Sequence, residues 1–154
     1  GTCCVFIAFD PHQGWRKISI KERRTKEDYA DFMRELAMHY PDAGSIRVVQ
    51  DNLNTHSASS FYEAFSPEVA FGLKKKFQFY FTPKKGSWLN MAEIEFSALS
   101  RQCLNRRIGD IKTLAKEAGA WEKDRNGIKA KVRWQFNKSK AREMFCRHYL
   151  EIRK

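Results

Sequence analysis

An α/β domain is predicted by three features of the chain. Short β-branched or aromatic runs alternate with apolar residues at helical spacing, Pro and Gly punctuate the junctions, and 154 residues suffice for one domain with a real core. The order reads β-β-α-β-α-β-α with further helices behind it, uninterrupted by any repeat or low-complexity linker.

Each element has its own justification. Residues 3–9 form an apolar strand, and Asp10-Pro11-His12-Gln13-Gly14 is a turn with Pro and Gly in turn-type positions. Residues 15–21 alternate, with Trp15, Ile18 and Ile20 against Lys17, Ser19 and Lys21 and one slip, so the two segments read as a hairpin. Thr25-Lys26-Glu27-Asp28 has the form of an N-terminal cap. Tyr29, Phe32, Met33, Leu36, Ala37 and Tyr40 then recur at helical spacing until Pro41 stops the helix. Ile46-Arg47-Val48-Val49-Gln50 is short and β-branched, a buried strand. Helical turns follow over residues 59–65 and 67–73, then a strand over 77–81, a loop over 83–87 and a helix from Leu89 to about Ile108. Residues 110–154 read as a charged helical extension broken at Asn126-Gly127.

A net charge of +11, from 29 Lys and Arg against 18 Asp and Glu, together with 12 Phe, suits a folded protein that meets a polyanion, most simply nucleic acid. A merely basic domain carries the same signature. Cys3, Cys4, Cys103 and Cys146 show no CxxC or Cys/His ligand spacing, so no zinc site is indicated and the thiols read as reduced, in a cytoplasmic protein. No signal peptide or membrane-spanning run is visible, and no membrane partner is expected. The first Met is Met33, inside a helical pattern, which predicts further polypeptide upstream of Gly1.

Two carboxylates concentrate the chemistry. Asp51 follows the last residue of its strand, at the carboxyl edge where open α/β sheets bind ligands. Counting 100° per residue from Leu89 places Ala92, Phe96, Leu99, Cys103 and Leu104 within roughly 80° of it. Glu93 then falls about 40° from Leu89, inside the apolar stripe, and Glu95 well outside it. An ionised Glu on an apolar face is costly unless it is paired or binds metal. Glu93 therefore either joins Asp51 as a hard oxygen ligand for Mg²⁺ or Mn²⁺, suited to phosphodiester chemistry, or escapes to solvent or caps the helix start.

Val49-Gln50-Asp51-Asn52-Leu53-Asn54-Thr55-His56 resembles the second-acid block of bacterial insertion-sequence transposases of the mariner-type superfamily. Phe81-Thr82-Pro83-Lys84-Lys85-Gly86-Ser87-Trp88-Leu89-Asn90-Met91-Ala92-Glu93 resembles their third-acid block. Residues 100–108 and the early hairpin over residues 9–16 are similar to the same family, so the resemblance covers nearly the whole chain. It implies a ribonuclease-H-like catalytic domain, a mixed sheet with helices on both faces. It also implies an Asp-Asp-Glu triad with two Mg²⁺ or Mn²⁺ ions, DNA as element ends and target, and a homodimer. Asp51 matches the second acid and Glu93 the third.

The chain departs from that pattern at its start. Only two strands precede the first helix where the fold expects three, and Asp10, the sole early acid at a strand end, falls in the turn. The expectation is a single catalytic domain over residues 1–154, N-terminally truncated, lacking its first central strand, first acid and DNA-recognition domain, and inactive alone. Residues 110–154 would be a C-terminal extension. Unpaired facing edges on the hairpin and the Asp51 strand predict a gap, a repaired pairing or marginal stability.

Neighbouring residues carry weaker signals. Asn52 is suited to orienting a carboxylate or phosphate, and equally to capping the next helix. His56 is within reach of an acid or phosphate, or ties down the loop. Trp88 stacks on a base or anchors packing. Lys74, Lys75, Lys76, Lys84, Lys85, Arg101 and Arg106 read as a phosphate track or as a solvated face, and Arg107, near the buried stripe, as a partner for an acid. The rival functions are a ribonuclease-H-like nuclease without strand transfer and an inactive DNA-binding remnant of a transposase.

Overall fold

The computed structural model describes residues 2–51, 56–82, 90–134, 137, 139–140 and 142–143. Among these residues the elements run β1 (Cys4–Asp10), β2 (Trp15–Lys21), α1 (Lys26–His39), β3 (Ile46–Gln50), α2 (Ser59–Ala64), α3 (Pro67–Lys76), β4 (Phe77–Phe81), α4 (Met91–Gln102) and α5 (Ile111–Gly127). The α/β order read from the sequence is the order found.

β1 and β2 pair antiparallel, with Ile7 opposite Ile18 and Phe9 opposite Arg16. Gly14 closes their turn at φ +68°, where a side chain is strained; a Cβ there would also run into the Lys129 carbonyl. β3 and β4 pair parallel, with Val49 opposite Tyr80. Among the described residues these remain two separate two-stranded sheets.

The pleat of the hairpin divides the core in two. Cys4, Phe6, Ala8 and Trp15 face α1, α2 and α3, where Phe32, Met33, Phe61 and Leu73 also pack against Phe77 and Phe79 of β4. Val5, Ile7, Ile18 and Ile20 face the other way, onto Leu99 of α4 and Ala118 and Trp121 of α5. Helices thus cover both faces of the hairpin. The first cluster also spans both sheets, so side-chain packing joins them where no ladder does.

Local chemistry explains the boundaries. Thr25 caps α1 through a complete capping box with Asp28, and the helix ends one residue before Tyr40-Pro41. Asn90 caps α4 and Asp110 caps α5 through their side chains. α4 stops at Gln102, six residues short of the expected Ile108. α5 closes at Gly127, at the expected break, and the chain over residues 130–134 is not helical. The expected helical extension broken at Asn126-Gly127 is thus corrected over residues 130–134, while residues 139–140 and 142–143 are helical.

β2's outer edge is not left open. Glu122 Oε2 accepts the Ile18 N–H at 2.5 Å, and the Asn126 side chain both accepts from Arg16 N and donates to Arg16 O, each at 2.8 Å. Side chains of α5 do there what a further strand would do.

Candidate active site

Asp51 stands directly after β3, at the carboxyl end of the parallel pair. Gln50, buried in front of it, accepts the Tyr29 hydroxyl hydrogen at 2.8 Å and donates from Nε2 to the His56 carbonyl at 2.8 Å. Thr82 N–H, just past β4, donates to the Gln50 carbonyl at 2.9 Å and extends the ladder. The backbone entering Asp51 is held from the sheet, from α1 and from the returning loop at once.

His56 reaches back to the acid, with Nδ1 2.9 Å from Asp51 Oδ1. The Tyr29 ring stacks on the imidazole at 4.8 Å between centroids and 19° between planes. Burial lowers the His56 pKa against the opposing pull of Asp51. Among the described residues its buried Nε2 has no hydrogen-bond partner, which works in the same direction. In its neutral form the ring donates from Nδ1, and the contact is then a hydrogen bond to a carboxylate rather than an ion pair. The Asp51 side chain remains 44% exposed, open toward solvent.

α4 is phased differently from expectation. Glu93 is exposed and Glu95 is completely buried, the reverse of the arrangement predicted by counting from Leu89. Leu89 precedes α4, lies outside the described residues and is a poor origin for a helical wheel. From Leu99, which is fully buried, Glu95 lies about 40° away and Glu93 about 120°. Glu93 thus occupies the first turn of α4 as an accessible carboxylate, where the helix dipole favours it.

Glu95 is held by two guanidinium groups. Arg16 Nε donates to its Oε2 at 2.8 Å and Arg125 Nη2 to its Oε1 at 3.2 Å, with both Arg16 and Glu95 at 0% side-chain exposure. Arg16 also donates to Asn126 Oδ1 at 3.3 Å and to the Ala130 carbonyl at 2.5 Å. Burial pulls the Arg16 pKa down and Glu95 opposes that shift. The sequence did carry a trace of this network. The slip in the β2 alternation is Arg16, which shares the inward face of Ile18. Tyr29 and Gln50, also missed, show only as a polar residue closing an apolar strand and an aromatic on a helix.

Asp10 ends β1, and its carboxylate is fully engaged: Oδ1 accepts from the N–H groups of His12 and Gln13, and Oδ2 from the Tyr40 hydroxyl. It is a turn-closing residue. Lys74 and Lys75 are exposed in the last turn of α3, and Lys76 donates to the Pro41 carbonyl at 3.1 Å. Arg101 is exposed at the end of α4, and Arg106 pairs with Glu117. Arg107 is exposed beyond the helix, which corrects its expected place beside the buried stripe. Asn52, Lys84, Lys85 and Trp88 lie outside the described residues.

Asp51 and Glu93 suit a hard divalent cation as donors, being accessible carboxylates that no Lys or Arg among the described residues pairs with. Among the described residues no group of three or more His, Cys, Asp or Glu side chains is gathered to hold one. No described helix is long and apolar enough to cross a membrane. A family model described as DDE superfamily endonuclease matches residues 1–115, a span that includes both carboxylates. No curated protein and no solved structure matches the chain.

Proposed function

The chain belongs to the DDE superfamily endonucleases, and from that premise we propose that it is the catalytic domain of a DNA transposase in which Asp51 is the second acid and Glu93 the third. The observation that carries this reading is the position of Asp51, accessible at the carboxyl end of a parallel strand pair and oriented by His56. Transposases of bacterial insertion sequences, of the mariner-type superfamily, are the proposed relatives, and two Mg²⁺ or Mn²⁺ ions the proposed cofactors. DNA is the proposed partner and a homodimer the proposed assembly.

A bound cation would stabilise the charge that develops on the scissile phosphate and lower the pKa of water. The chain's own residues supply the rest. Asp51 and Glu93 would hold the cation, and His56 fixes the rotamer of Asp51 by donating to one oxygen, leaving the other for a ligand. Gln50 and Tyr29 fix His56 in turn. No side-chain nucleophile is required: water cuts the element's end, and the 3′-hydroxyl so freed attacks target DNA in line. Asp10 is spent on its turn, so this reading assigns two of the three acids.

The test is metal-dependent cleavage of element-end DNA by the natural protein and its Asp51→Asn and Glu93→Gln variants. Both variants are expected to lose cleavage while keeping DNA binding. Variants that cut as fast as the parent would remove the assignment. A 3′-hydroxyl donor that yields no joined product would favour a nuclease without strand transfer.

A further inference from the structure

Counted from Phe96 or from Leu99, both inside α4, the apolar residues of the α4 region fit two helical phases about 60° apart. One buries Glu93; the other, which the structure adopts, buries Glu95. Ala92, Phe96 and Cys103 fall within the stripe in either phase, so apolar periodicity alone is degenerate here. What distinguishes the phases is the buried carboxylate.

Glu95 uses both oxygens on guanidinium groups from two separate elements, Arg16 of β2 at 2.8 Å and Arg125 of α5 at 3.2 Å. Arg16 is itself locked by Asn126 and the Ala130 carbonyl, and the Arg125 guanidinium lies over the Trp121 ring at 5.0 Å. A second tie, from Trp121 Nε1 to Gln102 Oε1 at 2.8 Å, joins the far end of α4 to α5. Buried ion pairs are poor sources of net stability but effective at selecting one arrangement among alternatives of similar packing. Glu93 is two residues from Glu95, about 200° around the axis, so the network that draws Glu95 in dictates where Glu93 points.

We propose that Arg16, Glu95 and Arg125 are positioning residues that set the rotational phase of α4 and so the presentation of Glu93. This rests on the reading of Glu93 as the third acid.

The test places a nitroxide label on Glu93→Cys, with Cys3, Cys4, Cys103 and Cys146 replaced by Ser. Its spectrum is compared between the intact network and an apolar substitute carrying Arg16→Met, Glu95→Ala and Arg125→Leu, with Glu95→Gln as a milder variant. The intact network should give one mobile component. The substituted chain should keep a cooperative melt yet give a second, immobilised component. In the natural protein with Glu93 present, the same substitutions should lower kcat for cleavage roughly 10- to 100-fold with the KM for DNA unchanged. A single mobile component in a folded substitute, or an unaltered kcat, overturns the proposal. So does failure of both variants to fold, because the network would then serve stability alone. A Glu93→Gln chain that still cleaves would instead sink the assignment of the third acid, while the spectra still report how α4 is held.

Discussion

Asp51 and Glu122 show how burial on one side of a residue shapes its chemistry. Asp51 keeps an open carboxylate because its neighbours Gln50 and His56 take the buried places. Glu122 is half-buried, with burial raising its pKa above the ordinary 4.5 while it accepts the Ile18 N–H. The sign of its pH dependence follows from linkage. Between the ordinary and the raised values the folded chain keeps a proton that the unfolded chain has released, so stability falls as pH rises through that window and levels above it. Glu122→Gln retains an acceptor for Ile18 and removes the titration. The melting temperature of the variant relative to the parent should therefore climb across the window and then hold constant. Parallel profiles for the two proteins would contradict this. At this scale Asp51 was legible because a β-branched run points straight at it. The exchange between Glu93 and Glu95 was not, because a wheel needs an origin inside the helix and a buried carboxylate resembles a surface one until its arginines are located.

Among the elements, α1 is the best specified. Its cap, apolar stripe and stop signal agree, and the helix found at Lys26–His39 buries the Tyr29, Phe32, Met33 and Leu36 face that spacing alone identifies. Thr25→Ala removes the side-chain acceptor for Asp28 N–H and the hydroxyl that donates to Asp28 Oδ2, at a cost of about 1 kcal/mol. Equilibrium urea unfolding should show a lower midpoint with an unchanged slope; an unshifted midpoint would mean that tertiary contacts alone hold the start of α1. The strands were equally readable, β2 and β3 to the residue, because turn residues bound them. α4 was overextended and residues 130–134 are not helical, since charged sequence keeps helical composition past the point where a helix still has a surface to pack against. Nor does periodicity reveal that α5 caps the edge of β2: that role depends on Glu122 and Asn126 lying opposite backbone groups more than a hundred residues away in sequence.

For the molecule as a whole, the +11 charge sets how it should meet DNA. Each phosphate neutralised by Lys or Arg releases condensed counterions, so affinity for a duplex of arbitrary sequence should fall steeply between about 50 and 200 mM salt. Replacing Lys74 or Lys75 with Ala should reduce the slope of log affinity against log salt by roughly 1 for each phosphate left without its cation, independent of sequence. An unchanged slope would place both on a solvated face. Composition suggests this partner class, and the order of elements announced the α/β architecture. Composition was silent about the pairing of four strands into two sheets, because hydrogen-bond partners far apart in sequence leave no local mark.

Those two sheets carry a colloidal consequence. β2's margin is sealed by α5, and among the described residues β1, β3 and β4 each have a strand partner on one side only. Like-charged copies repel one another in dilute buffer, and added electrolyte weakens that repulsion while leaving the backbone seams intact. The ionic conditions that free this protein from a polyanion are therefore those under which its own copies are most apt to zip together.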